Sequence, residues 1–367
     1  MIKQTTNRWP LLVARKCSTF RFLALKVIVS LGIMTIAWLP VFGQKPAIEE
    51  ETIRTIVTEA ADVIRREYFD EKTADKVATE LKGKLAKGSY LYTDSPELLA
   101  QIITKDIYDW THDKHLALIA PAKQMDLLDL DPKSDKSREL SAKRMNYGLN
   151  RVEILEGNVG YLNVIAFYRE IEMRDSLLVA MKFLRNVDAL IIDVRENGGG
   201  SPEGAALLLS FFCDTSDTPL FEIVTRNGEV TKYATYKLEA DARFHHVPTC
   251  VLTSKGTFSA GEGFAYLMQE RGLAEVVGEV TAGAANPGRP FLLNSRFEVV
   301  VPTGRVVSES KQGNWEGNGV EPDVLVSSPE ALGESHARAI KRLLETTKPG
   351  KWRESLEAIH NRRTISK

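Results

Sequence analysis

The chain has 367 residues, with 48 Lys and Arg against 49 Asp and Glu and a formal charge of −1 at pH 7. A hydrophobic fraction of 43 % is enough for the core of one large or two ordinary domains. This charge balance makes the chain a poor candidate for binding nucleic acid or an anionic lipid surface.

The first 43 residues are predicted to be a signal segment separate from the fold. They contain six basic and no acidic residues, and residues 27–41 form an almost uncharged apolar run. Val41-Phe42-Gly43 fits the sites that signal peptidases cut, so cleavage is predicted before Gln44 and would change the formal charge from −1 to −7. The alternative is an uncleaved membrane anchor over residues 23–42. The sequence therefore predicts an exported protein, periplasmic or extracellular, that meets a membrane only if this segment stays uncleaved.

Residues 44–120 are predicted to form a helical cap domain. Apolar residues recur at helical spacing over 48–68, and residues 74–85 and 96–108 show two more helical patterns. Strand-like alternation begins after His115. The charged, weakly patterned residues 121–144 are predicted to be a linker or flap.

Residues 145–345 are predicted to be an α/β core, because short apolar runs alternate with helical patterns. The predicted elements are strands at 159–167, 189–194, 247–252 and 275–278, helices at 172–186, 202–212, 260–268 and 331–344, and hairpins at 221–236 and 297–307. A polar tail is expected over 346–367. Cys213 and Cys250 lie in or beside apolar runs, so we expect buried thiols rather than a disulfide.

Ser259 occupies the last position of a small-residue turn between the apolar run 247–252 and a helix that opens at Ala260. The unpaired N–H groups of a helix start and its dipole can stabilise an oxyanion beside a hydroxyl at this place. The serine could instead be an ordinary helix N-cap.

The run Gly198-Gly199-Gly200 follows the predicted strand 189–194. Its spacing matches neither a dinucleotide-binding turn nor a phosphate-binding loop. The glycines could supply a second N–H to an oxyanion at Ser259, or they could simply form a tight strand-to-helix turn.

A reactive serine needs a base, and a base needs an orienting carboxylate. Beyond residue 43 the chain has six histidines: His112, His115, His245, His246, His336 and His360. His336 and His360 are expected to be solvated. His245 and His246 should lie at the end of the 247–252 strand that is far from Ser259. His112 and His115 therefore remain as candidate bases. Glu316, in a glycine-rich loop, is a candidate carboxylate or a solvated charge.

Three motifs, in order along residues 145–330, resemble the peptidase family of the carboxy-terminal processing proteases, the tricorn core protease and the interphotoreceptor retinoid-binding protein. They are Asp193-Val194-Arg195-Glu196-Asn197-Gly198-Gly199-Gly200, Thr257-Phe258-Ser259-Ala260-Gly261-Glu262 and Gly319-Val320-Glu321-Pro322-Asp323. The processing proteases carry a lysine partner where this chain has alanine, within residues 281–288. The sequence therefore looks like the tricorn and retinoid-binding branch, and it also lacks a peptide-recognition insertion.

The resemblance implies a crotonase-like spiral core with an N-terminal helical bundle and a serine peptidase that needs no cofactor or metal. It implies Ser259 as nucleophile, His115 of Asp113-Lys114-His115 as general base, and Glu316 as supporting carboxylate. Oxyanion donors are expected from the backbone of Ala260, Gly199 and Gly200. Glu262 is expected to support the helix start. The substrate would be a peptide or protein, whereas the sequence leaves the oligomeric state open.

Two other classes of function remain open. The retinoid-binding relatives indicate that the same scaffold could be a non-catalytic carrier of an apolar ligand. An acyl-transfer or hydratase enzyme would need a coenzyme A site, and no basic cluster in the sequence suits its phosphates.

Overall fold

The computed structural model describes residues 48–121, 135–238, 243–294, 297–308 and 313–365. The predicted signal segment and residues 122–134 of the predicted linker lie outside these ranges. In the described ranges, no helix combines the length and the apolar character needed to cross a membrane.

Three helices open the described chain: Glu50–Glu67 (α1), Glu71–Ala86 (α2) and Pro96–Thr111 (α3). The Asp70 carboxylate caps α2 by accepting the Thr73 N–H at 2.9 Å. The Ser95 hydroxyl caps α3 in the same way at 3.0 Å from the Leu98 nitrogen. Their apolar faces form one core, so the predicted helices are present.

The remaining elements are, in chain order, Ala117–Ile119 (β1), Asp135–Arg144 (α4), Leu149–Leu155 (β2), Val159–Val164 (β3), Glu170–Phe183 (α5), Ala189–Asp193 (β4), Pro202–Ser210 (α6), Pro219–Thr225 (β5), Val230–Ala234 (β6), Thr249–Thr253 (β7), Ala260–Glu270 (α7), Glu275–Gly278 (β8), Gly288–Leu292 (β9), Glu298–Pro302 (β10), Gly304–Ser308 (β11), Val324–Leu325 (β12), Ser328–Thr346 (α8) and Lys351–Ile365 (α9).

A six-stranded sheet in the order β12-β8-β7-β4-β3-β2 forms the centre of the core. Only β2 runs antiparallel to its neighbour among these strands. Alternate residues of β4 belong to cores on opposite faces: Leu190 and Ile192 to the core that includes α5, α6 and α7, and Ile191 to the core that includes residues of α8 and α9. Helices on both faces explain why the strand is apolar throughout, and the arrangement confirms the α/β fold class.

Two three-stranded sheets accompany the central one, in the orders β1-β10-β9 and β11-β5-β6. The predicted hairpin at 221–236 is present as β5 and β6. The second predicted hairpin is wrong, because β10 pairs with β1 and β9 whereas β11 pairs with β5. Thr303 alone separates β10 from β11, and one residue is too short a connection for a hairpin between them.

The structure corrects two further expectations near the carboxyl end. The expected polar tail contains helix α9, which buries Leu356 and Ile359 against the sheet core. His336, expected to be solvated, is 1 % exposed on α8, and its Nε2 lies 2.8 Å from the Glu156 carbonyl oxygen. Cys213 and Cys250 are both buried free thiols.

Candidate active site

Ser259 lies between β7 and α7 with φ 52° and ψ −118°. Residues with a Cβ disfavour this backbone region at a cost of about 1–3 kcal/mol, and the conformation persists only because the surrounding contacts enforce it. The side chain is partly exposed. Strained strand-to-helix turns of this kind present the nucleophilic serine in several hydrolases.

The Glu262 side chain, in the first turn of α7, holds the Ser259 turn in place. Its carboxylate is fully buried and accepts the Ser259 N–H at 2.8 Å. The same carboxylate accepts the Thr281 hydroxyl at 2.6 Å, and the N–H groups of Gly283 at 2.6 Å and Ala284 at 2.9 Å. Burial raises the pKa of Glu262, and these four donors act in the opposite direction. The contacts join the start of α7 to the stretch 281–284.

Asn197 holds the glycine turn against the serine turn. Its side chain is fully buried, donates to the Val164 carbonyl at 3.0 Å and accepts the Gly199 N–H at 2.8 Å. The Asn197 carbonyl accepts the Phe258 N–H at 2.9 Å. Asn197 thus connects the glycine turn after β4 to the serine turn after β7.

The backbone donors differ in part from the sequence expectation. Because the Gly199 N–H donates to Asn197, it is not an unpaired donor in this conformation. The N–H groups of Gly200 and Ala260 donate to no other group among the described residues. Gly200 and Ala260 are therefore the candidate oxyanion donors.

His115 follows a turn that Asp113 shapes. The buried Asp113 carboxylate accepts the His115 N–H at 2.9 Å and the Tyr68 hydroxyl at 2.9 Å. The His115 ring packs on the Phe258 ring with centroids 4.8 Å apart, next to Ser259. Burial lowers the pKa of His115 to about 4, so the imidazole is neutral at pH 7.

Glu316 is held by the stretch that follows Ala284 and lies close enough to Asp113 for the two carboxylates to repel each other. Its Oε2 accepts the N–H groups of Ala285 at 2.7 Å and Asn286 at 2.9 Å. Burial, followed by repulsion from Asp113, raises the pKa of Glu316 to about 7. Among the described residues, neither Glu316 Oε1 nor His115 Nδ1 has a hydrogen-bond partner, although both atoms are buried.

The other candidates stay outside this cluster. The His112 side chain is exposed, and its left-handed backbone ends α3. The His245 and His246 rings make an edge-on contact before the start of β7, with centroids 3.7 Å apart, and His245 Nε2 lies 3.3 Å from Asp214 Oδ1. No group of three or more His, Cys, Asp or Glu side chains in the described ranges could hold a metal ion.

Asn197, Tyr68 and Thr281 were not predicted to contribute to the site. A buried strand followed by a polar residue is a usable signal for Asn197, since a polar side chain there must find partners. Tyr68 and Thr281 gave no such signal, because their partners are 45 and 19 residues away in the sequence.

A mixed α/β core that presents a serine on a strained turn, beside free backbone donors and a neutral histidine, has the arrangement of a serine hydrolase. Residues 158–326 match the model of peptidase family S41. The resemblance seen in the sequence motifs is confirmed.

Curated relatives include two processing peptidases. The carboxy-terminal processing protease CtpB of Bacillus subtilis is 26 % identical over 203 residues, which cover 51 % of this chain and 40 % of the relative. The chloroplastic carboxyl-terminal-processing peptidase 1 of Arabidopsis thaliana is 28 % identical over 190 residues, which cover 51 % of this chain and 37 % of the relative. The chain thus spans about two fifths of the length of these relatives.

A solved structure of a protein from Parabacteroides merdae superposes with a TM-score of 0.52 at 20 % identity, covering 81 % of this chain and 99 % of that one. It shows a shared fold. At Ala284, where the related lysine-dependent proteases are expected to carry lysine, the side chain is buried and the N–H is bound to Glu262.

Proposed function

We propose that the chain is an exported serine endopeptidase with Ser259 as nucleophile, His115 as general base and Glu316 as supporting carboxylate. The observation that carries this proposal is the contact between the His115 ring and Phe258, which brings a neutral imidazole to the strained serine turn. The match of residues 158–326 to peptidase family S41 supports peptide bonds as the reacting group.

The proposed reaction uses the neutral form of His115. The imidazole takes the Ser259 proton as Oγ attacks the peptide carbonyl carbon, and then gives that proton to the leaving amine. The N–H groups of Gly200 and Ala260 hold the tetrahedral oxygen, at about 3–4 kcal/mol for each donor. Water then hydrolyses the acyl-enzyme by the same proton transfers.

Glu316 would stabilise the imidazolium that forms during attack. Its buried Oε1 has no other described partner, and Oε2 is fixed by two backbone donors. A carboxyl group whose pKa is about 7 holds part of its negative charge at neutral pH. Glu316 can therefore act directly on His115 or through an intervening hydroxyl.

The test is labelling by a fluorophosphonate probe. We expect Ser259→Ala to abolish labelling, whereas Ser355→Ala, an exposed serine on α9, should label at the wild-type rate. His115→Asn should slow labelling at least about 100-fold, as for loss of a general base. The matched control is His112→Asn, because asparagine tolerates the left-handed backbone at residue 112. Labelling that survives Ser259→Ala would reject Ser259 as nucleophile.

Export is part of the proposal and is supported by the basic amino end followed by an apolar run. We expect the protein recovered outside the cytoplasm to begin at Gln44. Amino-terminal sequencing of that protein tests the proposed cleavage, and an intact Met1 in a membrane fraction would favour an anchor instead. The division into a cap domain at 44–120 and a peptidase core at 145–345 is likewise a proposal.

A further inference from the structure

Three buried polar atoms around the candidate active site have no hydrogen-bond partner among the described residues. They are His115 Nδ1, Glu316 Oε1 and Asn286 Oδ1. Asn286 is 3 % exposed, so its amide oxygen is shielded from bulk water. A buried polar atom without a partner carries a desolvation cost that no bond offsets, and native proteins contain few such atoms. Three of them on neighbouring residues therefore need a common explanation.

The backbone of Asn286 connects the other two residues. Its N–H donates to Glu316 Oε2 at 2.9 Å. Two residues further on, a Cβ on Gly288 would lie 3.5 Å from the His115 Cβ. The Cα atoms of residues 286 and 288 are at most about 7 Å apart, because each residue extends a chain by no more than about 3.6 Å. The stretch 286–288 therefore runs from the Glu316 carboxylate to the His115 side chain, and the buried Asn286 amide belongs to it.

The hydrogen-bonding capacities of the three side chains are complementary. In the tautomer that the proposed reaction needs, His115 Nε2 carries the lone pair that takes the serine proton, so Nδ1 carries a hydrogen. Nδ1–H is then a donor, whereas Asn286 Oδ1 and Glu316 Oε1 are acceptors. An asparagine amide has one acceptor oxygen and two donor N–H groups. One amide can therefore accept from His115 and donate to Glu316.

A direct bond between His115 and Glu316 explains fewer of these atoms. It would satisfy Nδ1–H and Oε1, but it would leave Asn286 Oδ1 buried without a donor. A connection through the amide satisfies all three. In addition, an amide oxygen accepts a hydrogen bond at any pH, whereas a carboxyl group with a pKa of about 7 is a weaker acceptor in its protonated form.

We propose that Asn286 is a positioning residue for the general base: its Oδ1 accepts the His115 Nδ1–H, and its Nδ2 donates to Glu316 Oε1. The inference rests on the proposed peptidase function, and it assigns the link between His115 and Glu316 to a side-chain amide. Hydrogen bonds of this kind are often long in an unliganded protein and tighten when substrate binds. The amide then fixes the tautomer in which Nε2 faces the serine hydroxyl.

The rate of fluorophosphonate labelling gives the first test. Asn286→Leu keeps the approximate size of the side chain and removes both polar atoms. We expect labelling to slow about 10- to 100-fold, which is less than the loss expected on removal of the base itself. The matched control is Asn318→Leu, an exposed asparagine in the loop that carries Glu316, where we expect less than about a twofold change. Equal rates in the two variants would overturn the proposal.

The tautomer of His115 is a readout that a merely structural role would not move. It can be measured by NMR of ¹⁵N-histidine in the Ser259→Ala protein at pH 7, where the His115 signals are identified by their loss in His115→Asn. We expect the Nδ1–H tautomer with Asn286 in place, and loss of that preference in Asn286→Leu, because the partner of Nδ1 sets the tautomer. The same tautomer in both proteins would contradict the proposal.

Asn286→Asp keeps the proposal testable if the leucine variant fails to fold. Aspartate retains an acceptor for Nδ1–H and adds negative charge beside the imidazole, so we expect the midpoint of the pH profile of labelling to rise by at least about one pH unit. Asn318→Asp should leave that midpoint unchanged, and an equal midpoint in both variants would reject the proposed contact.

The two proposals fail in different ways. Labelling that survives Ser259→Ala removes the nucleophile, whereas the tautomer measurement needs no reactive serine and still decides the role of Asn286. Conversely, an unchanged His115 tautomer and labelling rate in Asn286→Leu would remove the role of Asn286 and leave Ser259 and His115 in their proposed roles.

Discussion

A Cβ on Gly199 would lie 2.7 Å from the Cβ of Ser259, so the glycine turn touches the serine turn with no room for a methyl group. The two turns follow β4 and β7, which are parallel neighbours in the central sheet. Because the carboxyl ends of parallel strands meet at one edge, the sheet itself brings these distant residues together.

Gly199→Ala should therefore impair both folding and reactivity. Residue 199 has φ +93°, which alanine disfavours, and its Cβ would also lie 3.0 Å from the Phe258 carbonyl oxygen. We expect a loss of about 1–3 kcal/mol in the free energy of unfolding and a large loss of fluorophosphonate labelling. The matched control is Gly198→Ala, where a Cβ meets nothing within 4 Å. Denaturant titration and labelling rates check both variants, and equal behaviour of the two alanines would contradict this explanation.

The strain at Ser259 predicts the order of stabilities of two substitutions. Glycine is already favoured over alanine at a helix N-cap, and here the positive φ adds a penalty for any residue with a Cβ. We expect Ser259→Gly to be more stable than Ser259→Ala by about 1 kcal/mol. Denaturant midpoints of the two variants measure the difference. If alanine proves the more stable, the turn is not strained as described.

Much of the core could be predicted from the sequence, because β4 and β7 are short apolar runs with recognisable turns after them. Strand β9 could not be predicted in this way. It has the sequence Gly-Arg-Pro-Phe-Leu, lacks alternation and becomes a strand only through its pairing with β10. Local propensity carries no information about such distant pairing.

The site shows the same division. The motif around Ser259 predicted a serine at the start of a helix, because the start of a helix can be recognised from local residues alone. The partners of Glu262 are the distant Thr281, Gly283 and Ala284, so its full burial was not visible in the sequence. The hydrogen bond that occupies the Gly199 N–H likewise depends on the side-chain conformation of Asn197.

Glu262→Gln should destabilise the protein strongly. Both carboxylate oxygens accept two donors each, and an amide nitrogen in place of either oxygen would face N–H or O–H groups. Leaving such donors unsatisfied in a buried site costs roughly 2–4 kcal/mol. Glu321→Gln, at an exposed position, should change the free energy of unfolding by less than about 0.5 kcal/mol. Chemical denaturation at pH 7 compares them, and a loss at Glu262 no larger than at Glu321 would show that the four bonds contribute little.

Glu316 and His115 should make opposite contributions to the pH dependence of stability. The pKa of Glu316 is raised from 4.5 to about 7, so its stabilisation is complete below pH 4.5 and is lost as pH rises to about 7. The pKa of His115 is lowered from 6.5 to about 4, so its stabilisation is complete above pH 6.5 and is lost as pH falls to about 4. Each contribution is about 3 kcal/mol at most, and between pH 4.5 and 6.5 the two slopes cancel.

Single substitutions should remove that cancellation. Relative to the wild type, Glu316→Gln should gain up to about 3 kcal/mol as pH rises from 4.5 to 7, because it lacks the carboxyl group that must ionise. His115→Asn should gain a similar amount as pH falls from 6.5 to 4, because it has no imidazole that protonates on unfolding. Urea denaturation across this range gives both difference curves, and each variant serves as the control for the other. Curves of the same sign, or two flat curves, would mean that burial does not shift these two pKa values in opposite directions.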